Sequence, residues 1–203
     1  MNERKAKIAV LVSGGGTNLQ AIIDAEKSGI IKSGTVSLVI SNNRDAYALE
    51  RAKKAGIDTS VIVKKECANA QEFEKKLIET LDSNGIELIV LAGFMSILSE
   101  KFTSHYEKKI INVHPSLIPS FCGAGFYGLH VHEAALAKGV KVTGATVHFV
   151  NEIPDGGEII MQKAVYTQEG DTPEVLQKRV MEEAEWIILP ASVEKISSEI
   201  INK

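Results

Sequence analysis

The sequence predicts an α/β protein: a mainly parallel sheet with helices on both faces, extended by an antiparallel hairpin and closed by a long C-terminal helix. Three observations predict it. Short apolar runs alternate with longer amphipathic ones along most of the chain, the pattern of strands linked through helices. The runs Ile8-Ala9-Val10-Leu11-Val12 and Leu88-Ile89-Val90-Leu91-Ala92 are apolar without alternation, as in strands covered on both sides. Near the end, two strand-like runs, Val140 to Val150 and Glu158 to Tyr166, flank the turn-rich segment Asn151-Glu152-Ile153-Pro154-Asp155-Gly156-Gly157.

The elements follow in order. The strand Ile8 to Val12 ends at a glycine cluster, and Asn18 to Lys27 is a helix with Leu19, Ile22 and Ile23 on one face. Val36 to Ile40 is the second strand, and Asp45 is placed to cap the helix Ala46 to Ala55. Thr59 to Val63 is a third strand. Ala70 to Leu81 is a helix with Phe73, Leu77 and Leu81 on its apolar face. After the strand Leu88 to Ala92, a short helix from Ser99 to Tyr106 leads to the strand Ile110 to Val113. Pro173 to Ile201 reads as one long helix, bent or broken near Pro190. The order is Rossmann-like, and no repeat, low-complexity stretch or linker divides residues 1–203, so one domain is expected.

The chain has 203 residues, enough for a substantial core, and its 44% hydrophobic and 24% charged shares are those of ordinary globular proteins. A net charge of −3 offers no electrostatic reason for nucleic-acid binding. The charged N-terminus runs into a strand, and no apolar run approaches the roughly 20 residues that span a bilayer. The two cysteines, Cys67 and Cys122, lack metal-ligand spacing and are expected as reduced thiols. A cytoplasmic protein without membrane or metal partners is the expectation.

The chemistry concentrates in Lys109-Ile110-Ile111-Asn112-Val113-His114-Pro115. Residues two apart in a strand face the same side. Asn112 and His114 therefore address one point, one with an amide donor and the other with a group that titrates near neutrality. That pair suits a carbonyl centre whose oxygen gains negative charge. A lone histidine is more often structural than catalytic, and the balance changes with Asp155. If its glycine-flanked loop folds over the same sheet edge, its carboxylate pairs with the imidazole and favours the protonated form. Taken alone, Asp155 is equally a turn residue. His148 is a further candidate polar residue, whereas His130 and His132 belong to a helix start with a local role.

Two loops share that edge, where ligands of open parallel sheets bind. Ser13-Gly14-Gly15-Gly16-Thr17-Asn18 opens a helix and can hold a phosphate on backbone N–H groups; the alternative is a turn capped by Thr17 or Asn18. Leu19 stands where a dinucleotide fingerprint has its third glycine. Gly93-Phe94-Met95-Ser96-Ile97-Leu98 can line a slot for a flat ring, although such an apolar loop alone is more often core.

Taken together and in order, Ser-Gly-Gly-Gly-Thr-Asn, Leu-Ala-Gly-Phe-Met, Asn-Val-His-Pro-Ser-Leu-Ile-Pro, Val-His-Phe-Val and Asp-Gly-Gly resemble the phosphoribosylglycinamide formyltransferase family of folate-dependent formyltransferases. The resemblance runs from Ile8 to about Pro190 and implies transfer of the formyl group of 10-formyltetrahydrofolate to the amine of glycinamide ribonucleotide in purine synthesis. It implies Gly16, Thr17, Asn18 and Glu185 as acceptor-binding residues. It assigns Met95, Ser96, Ile97, Leu98, Asn112, Asn151, Glu152, Ile153, Pro154 and Asp155 to the folate, and Asn112, His114 and Asp155 to catalysis. Only small molecules are implied as partners, with no metal, and the chain is expected as a monomer or homodimer.

Two departures stand out. Phe121-Cys122-Gly123-Ala124-Gly125-Phe126-Tyr127-Gly128 is about five residues longer than in shorter members, a size surface connections absorb. Where some members carry a ligand-binding arginine, this chain has Asn69-Ala70-Gln71, with Lys64 and Lys65 as the nearby cations. Competing assignments are a formyltetrahydrofolate deformylase, a methionyl-tRNA formyltransferase and a non-catalytic phosphoribosyl-binding module. The first two are expected to carry a further domain, and the intact Asn112, His114 and Asp155 argue against the third.

Overall fold

The structure is a computed structural model that describes residues 4–203. Among the described residues seven strands form one sheet in the order β3-β2-β1-β4-β5-β6-β7. They are β1 (Ala6–Val12), β2 (Gly34–Ser41), β3 (Asp58–Val61), β4 (Leu88–Leu91), β5 (Ile110–His114), β6 (Val142–Phe149) and β7 (Ile159–Tyr166). The first five pair in parallel, β6 runs antiparallel to β5, and β7 closes the hairpin, as the sequence pattern predicts.

Strand alternation sorts the core into two layers. Ile8, Val10 and Val12 of β1 meet one set of helices, while Ala9 and Leu11 meet the other. The first layer receives α1 (Thr17–Lys27), α2 (Tyr47–Lys54), α6 (Pro173–Val180) and α7 (Trp186–Ile201) through Leu19, Ile22, Ala48, Leu176 and Leu189. The second receives α3 (Ala70–Ser83) and α4 (Glu100–His105) through Phe73, Leu77, Leu81 and Phe102. Burial on both faces is why β1 from Ile8 onward and all of β4 carry apolar residues at every position. Helix α5 (Leu129–Lys138) lies between β5 and β6 in the chain.

Helix starts follow local chemistry, with one correction. Asn69, Ser99 and Thr172 each accept a backbone N–H at the head of α3, α4 and α6. The cap expected from Asp45 is not made: Ala46 is the N-cap of α2, without a side-chain bond, and Asp45 donates its own N–H to Asn43 Oδ1. The loop is instead tied by its asparagine, so the helix begins one residue later than its sequence signal. The long terminal helix is also interrupted elsewhere than expected. Met181–Glu185 forms a π-helical turn, and Pro190 sits inside α7. A proline removes a hydrogen bond and crowds the turn ahead of it, and the wide turn lies just N-terminal to that.

Among the described residues no helix is long and apolar enough to cross a membrane. His132 on α5 is fully buried, both ring nitrogens lack a partner, and burial lowers its pKa to about 4, with the nearby His114 contributing. The unfolded chain binds that proton near the ordinary pH 6.5, so the native state loses stability as pH falls from 6.5 toward 4. His132→Leu is expected to remove on the order of 2 kcal/mol of that loss at pH 4.5, measured by urea unfolding at pH 7 and 4.5. An identical pH dependence in the variant would contradict it.

Candidate active site

Strand register assembles the centre. Asn112 and His114 share the parity of Ile110, so they project on the side of the sheet that carries α3 and α4. Antiparallel pairing sets Asn112 opposite His148 and His114 opposite Thr146, which puts His148 on the same face. Asn112 Nδ2 lies 3.2 Å from His148 Nε2, and His148 Nδ1 donates to the Phe149 carbonyl at 2.8 Å. The β6–β7 connection returns over this edge and brings Asp155 to both rings. Its Oδ2 is 3.5 Å from His114 Nδ1, and its Oδ1 is 3.5 Å from His148 Nε2. Asp155 holds φ at +56°, a left-handed conformation that aspartate tolerates better than most residues.

His114 Nε2 faces the Phe121 carbonyl at 2.8 Å, and Asp155 Oδ2 accepts the Gly123 N–H at 2.8 Å. A carbonyl has no proton to give, so Nε2 carries one. Burial holds the His114 pKa below the ordinary imidazole value; the Asp155 charge and the Phe121 carbonyl pull it up, and His148 lowers it further. The carboxylate thus favours the protonated ring as expected, but desolvation outweighs it, because the side chain is only 5% exposed. Burial works to raise the Asp155 pKa, yet His148, the Gly123 N–H and the imidazole charges more than offset it and leave the carboxyl below its usual range. The outcome is an ionised carboxylate beside a histidine whose protonated form is disfavoured by burial and supported by that carboxylate.

Around this centre the loops form a continuous cleft. A 130 Å³ cavity is lined by Ser96, Ile97, Leu98, Asn112, His148 and the 151–155 loop. It adjoins a 560 Å³ cleft that shares Ser96, Ile97, Asn112, Pro154 and Asp155 with it, and adds Met95, His114 and the Gly123–Gly128 wall. Every residue expected at the folate borders one of these spaces. Met95 and Ile97 are exposed, against ordinary core packing of their loop, whereas Leu98 is buried at 5% and belongs to the core beneath.

The glycine loop stands beside this cleft. Gly16 takes φ +73°, and a Cβ there would sit 2.6 Å from Ala48 Cβ, so both conformation and space require glycine. Ser13 Oγ accepts the Met95 N–H at 2.8 Å and joins the two loops. Asn18 Nδ2 donates to Glu185 Oε2 at 2.6 Å, and the Thr17 hydroxyl contacts Met181 Sδ at 3.8 Å. The π turn thus lands on the loop, bringing together the residues expected to hold the acceptor. Gly16, Asn18 and Glu185 do not line the cavities around His114, and Thr17 faces a separate groove between α1 and α7. Asn18 Oδ1 is buried without a partner, and burial raises the Glu185 pKa against the opposing effect of Asn18. Lys64 and Lys65 line a 770 Å³ cleft that also meets Met95 and Ser96.

Sequence reasoning undervalued His148, whose signal was its alternation with Thr146 in a strand pairing β5. It missed the Phe121 and Gly123 main-chain groups, which no side-chain pattern announces. Among the described residues no cluster of three or more His, Cys, Asp or Glu is placed to hold a metal ion.

Comparison with known proteins agrees with this architecture. The formyl transferase family model matches residues 6–193. The chain is 44% identical over 173 residues to the phosphoribosylglycinamide formyltransferase of Escherichia coli K12, covering 85% of this chain and 79% of that one. It is 45% identical over 194 residues to the trifunctional purine biosynthetic protein adenosine-3 of Gallus gallus, covering 96% of this chain but spanning 19% of that relative's length. Glycinamide ribonucleotide transformylase 1 of Symbiobacterium toebii superposes with a TM-score of 0.89 at 41% identity, covering 96% of this chain and 89% of that one. The chain belongs to the formyl transferase family.

Proposed function

We propose that this chain transfers the formyl group of 10-formyltetrahydrofolate to the primary amine of glycinamide ribonucleotide, giving formylglycinamide ribonucleotide and tetrahydrofolate in purine synthesis. One observation carries the proposal: Asn112, His114 and Asp155 meet within a cleft bordered by Met95–Leu98 and Asn151–Asp155. The names of the Escherichia coli and Symbiobacterium toebii relatives support the acceptor.

The chemistry is acyl transfer without a covalent enzyme intermediate. The amine of the ribonucleotide attacks the formyl carbon, a C–N bond forms, and the formyl oxygen becomes an oxyanion. Asn112 donates an amide hydrogen to it, and protonated His114 donates from Nδ1, since Nε2–H is held by the Phe121 carbonyl. The Asp155 charge supports that protonated form, and the developing oxyanion adds a second negative charge that favours it. The attacking nitrogen must shed a proton, and the ionised Asp155 accepts it, directly or through water. That proton passes to N10 of the folate as its bond to the formyl carbon breaks. Gly16, Thr17 and Asn18 receive the acceptor's phosphate at the head of α1, where backbone N–H groups and the helix dipole favour an anion. Glu185, whose pKa burial raises, accepts from sugar hydroxyls and when protonated also donates, and the unpartnered Asn18 Oδ1 offers a further acceptor. The pterin lies against Met95, Ser96, Ile97 and Leu98 and against Asn151, Glu152, Ile153 and Pro154. Lys64 and Lys65 face the carboxylates of the folate tail in place of the family arginine. One domain in one chain supplies all these groups, so monomer and homodimer are equally competent in the cytoplasm.

A deformylase would hydrolyse the same cofactor without an amine acceptor. An assay of purified protein with 10-formyltetrahydrofolate, with and without glycinamide ribonucleotide, separates the two. Turnover that requires the ribonucleotide is expected, and acceptor-independent release of formate would overturn the proposal. Asn112→Ala and His114→Ala should each lower kcat about 10²–10³-fold, with both substrates still bound. Retention of near-parental kcat in either would remove that residue from the mechanism. Asn18→Ala should raise the acceptor KM about tenfold and leave the folate KM unchanged, an effect of one hydrogen bond. An unchanged acceptor KM would contradict the placement of the phosphate loop. By NMR, His114 should titrate below pH 6.5, and Asp155→Asn should move it lower still, because the carboxylate is the charge that raises it. A rise on that substitution would reverse the electrostatic account.

A further inference from the structure

Gly123–Gly128 of the Phe121–Gly128 connection form a wall of the 560 Å³ cleft, and the main chain of this connection reaches both His114 and Asp155. The Phe121 carbonyl accepts from His114 Nε2 at 2.8 Å, and the Gly123 N–H donates to Asp155 Oδ2 at 2.8 Å. Each is the shortest polar contact its side chain makes, since the direct His114–Asp155 contact is 3.5 Å. Two residues apart in the chain, these groups grip the two ends of one catalytic pair.

The backbone is shaped for it. Phe121 takes φ +50° and Gly123 φ +86°, so the chain turns through the left-handed region at both contact residues. Nothing lies within 4 Å of where a Cβ on Gly123 would stand, so glycine is needed there for conformation and not for room. The Phe121 ring packs edge-on against Phe126 with centroids 6.3 Å apart, which ties the turn to its own far side. A non-glycine residue held at positive φ beside a reactive centre is the kind of strain that surrounding structure must maintain.

We propose that the Phe121 carbonyl and the Gly123 N–H are positioning groups, and that this connection is a main-chain clamp setting the His114 ring against the Asp155 carboxylate. The inference rests on the catalytic roles given to His114 and Asp155 above. A carbonyl at Nε2 turns Nδ1 toward the carboxylate, and an N–H on Oδ2 keeps that oxygen aimed at the ring in its ionised form. The titratable groups facing Asp155 are His114 from β5, His148 from β6 and Cys122 from the connection itself. His132 from α5 adds to the surroundings of His114.

Backbone esters test the clamp without altering a side chain at the site. Glycolic acid in place of Gly123, introduced by translation with a hydroxy-acid-charged tRNA, deletes the N–H that Asp155 accepts. Compared with the all-amide chain made the same way, kcat should fall about tenfold or more, with both KM values within about twofold, as for loss of a charge-assisted hydrogen bond. The Asp155 carboxyl, followed by ¹³C NMR, should titrate at higher pH, because a donor that favours its ionised form is gone. In the Asp155→Ala background the ester should change kcat by less than about twofold, since the two groups then have nothing left to share. Lactic acid at position 122 weakens the Phe121 carbonyl as an acceptor, and against a Cys122→Ala chain it should lower the His114 titration midpoint. If the ester at 123 does not fold, Gly123→Ala serves. It should lower kcat in the same direction, and D-alanine, which accepts positive φ, should restore it. Unchanged Asp155 titration and unchanged kcat would overturn the clamp. An all-amide chain without formyl transfer would instead overturn the proposed reaction, and the carboxyl titration would still decide the clamp.

Discussion

The antiparallel pairing of β5 with β6 is the constraint on which the centre depends. It sets Asn112 across from His148 and His114 across from Thr146, so two strands deliver an amide and two imidazoles to one face. A slip of one residue would turn Asn112 and His114 toward the opposite helix layer and replace them with Ile111 and Val113. The apolar residues at those alternate positions, buried in the first core layer, prevent that slip. Packing and chemistry are thus written on the same strand in alternating letters.

The electrostatics follow from where that face lies. His114 and His148 are almost fully buried, and Asp155 reaches them from a loop. Burial alone would neutralise both acid and base. Hydrogen bonds and charge decide between them: the carboxylate accepts the Gly123 N–H beside two imidazoles and stays ionised, while desolvation of His114 outweighs the pull of that carboxylate and lowers its pKa. A buried carboxylate beside an imidazole suits a reaction that needs a proton acceptor and a hydrogen-bond donor side by side. At the other end of the site, half-buried Asn18 and buried Glu185 form a second pair, brought together by the π turn that interrupts the terminal helix.

Much of this was legible in residues. The unbroken apolar runs of β1 and β4 announce strands covered on both sides, and the 151–157 turn announces the hairpin. The spacing Asn112-x-His114 announces a shared face. Less legible features depend on partners distant in sequence. Asp45 has capping chemistry, but Asn43 ties the loop first. Pro190 signals an interruption, yet the wide turn that lands Glu185 on Asn18 lies ahead of it. The protonation balance at His114 depends on burial, which no local pattern encodes. The clamp from Phe121 and Gly123 is backbone, so a list of reactive side chains passes over it.

The central claim is that one oxyanion forms between Asn112 and His114, with Asp155 alongside. A crystal structure with a tetrahedral analogue linking a folate-like ring to a glycinamide ribonucleotide mimic tests it most directly. The account predicts the anionic oxygen about 3 Å from both Asn112 Nδ2 and a His114 ring nitrogen, with the phosphate at Gly16–Asn18. An oxygen turned away from both donors, or a phosphate bound elsewhere, would contradict it.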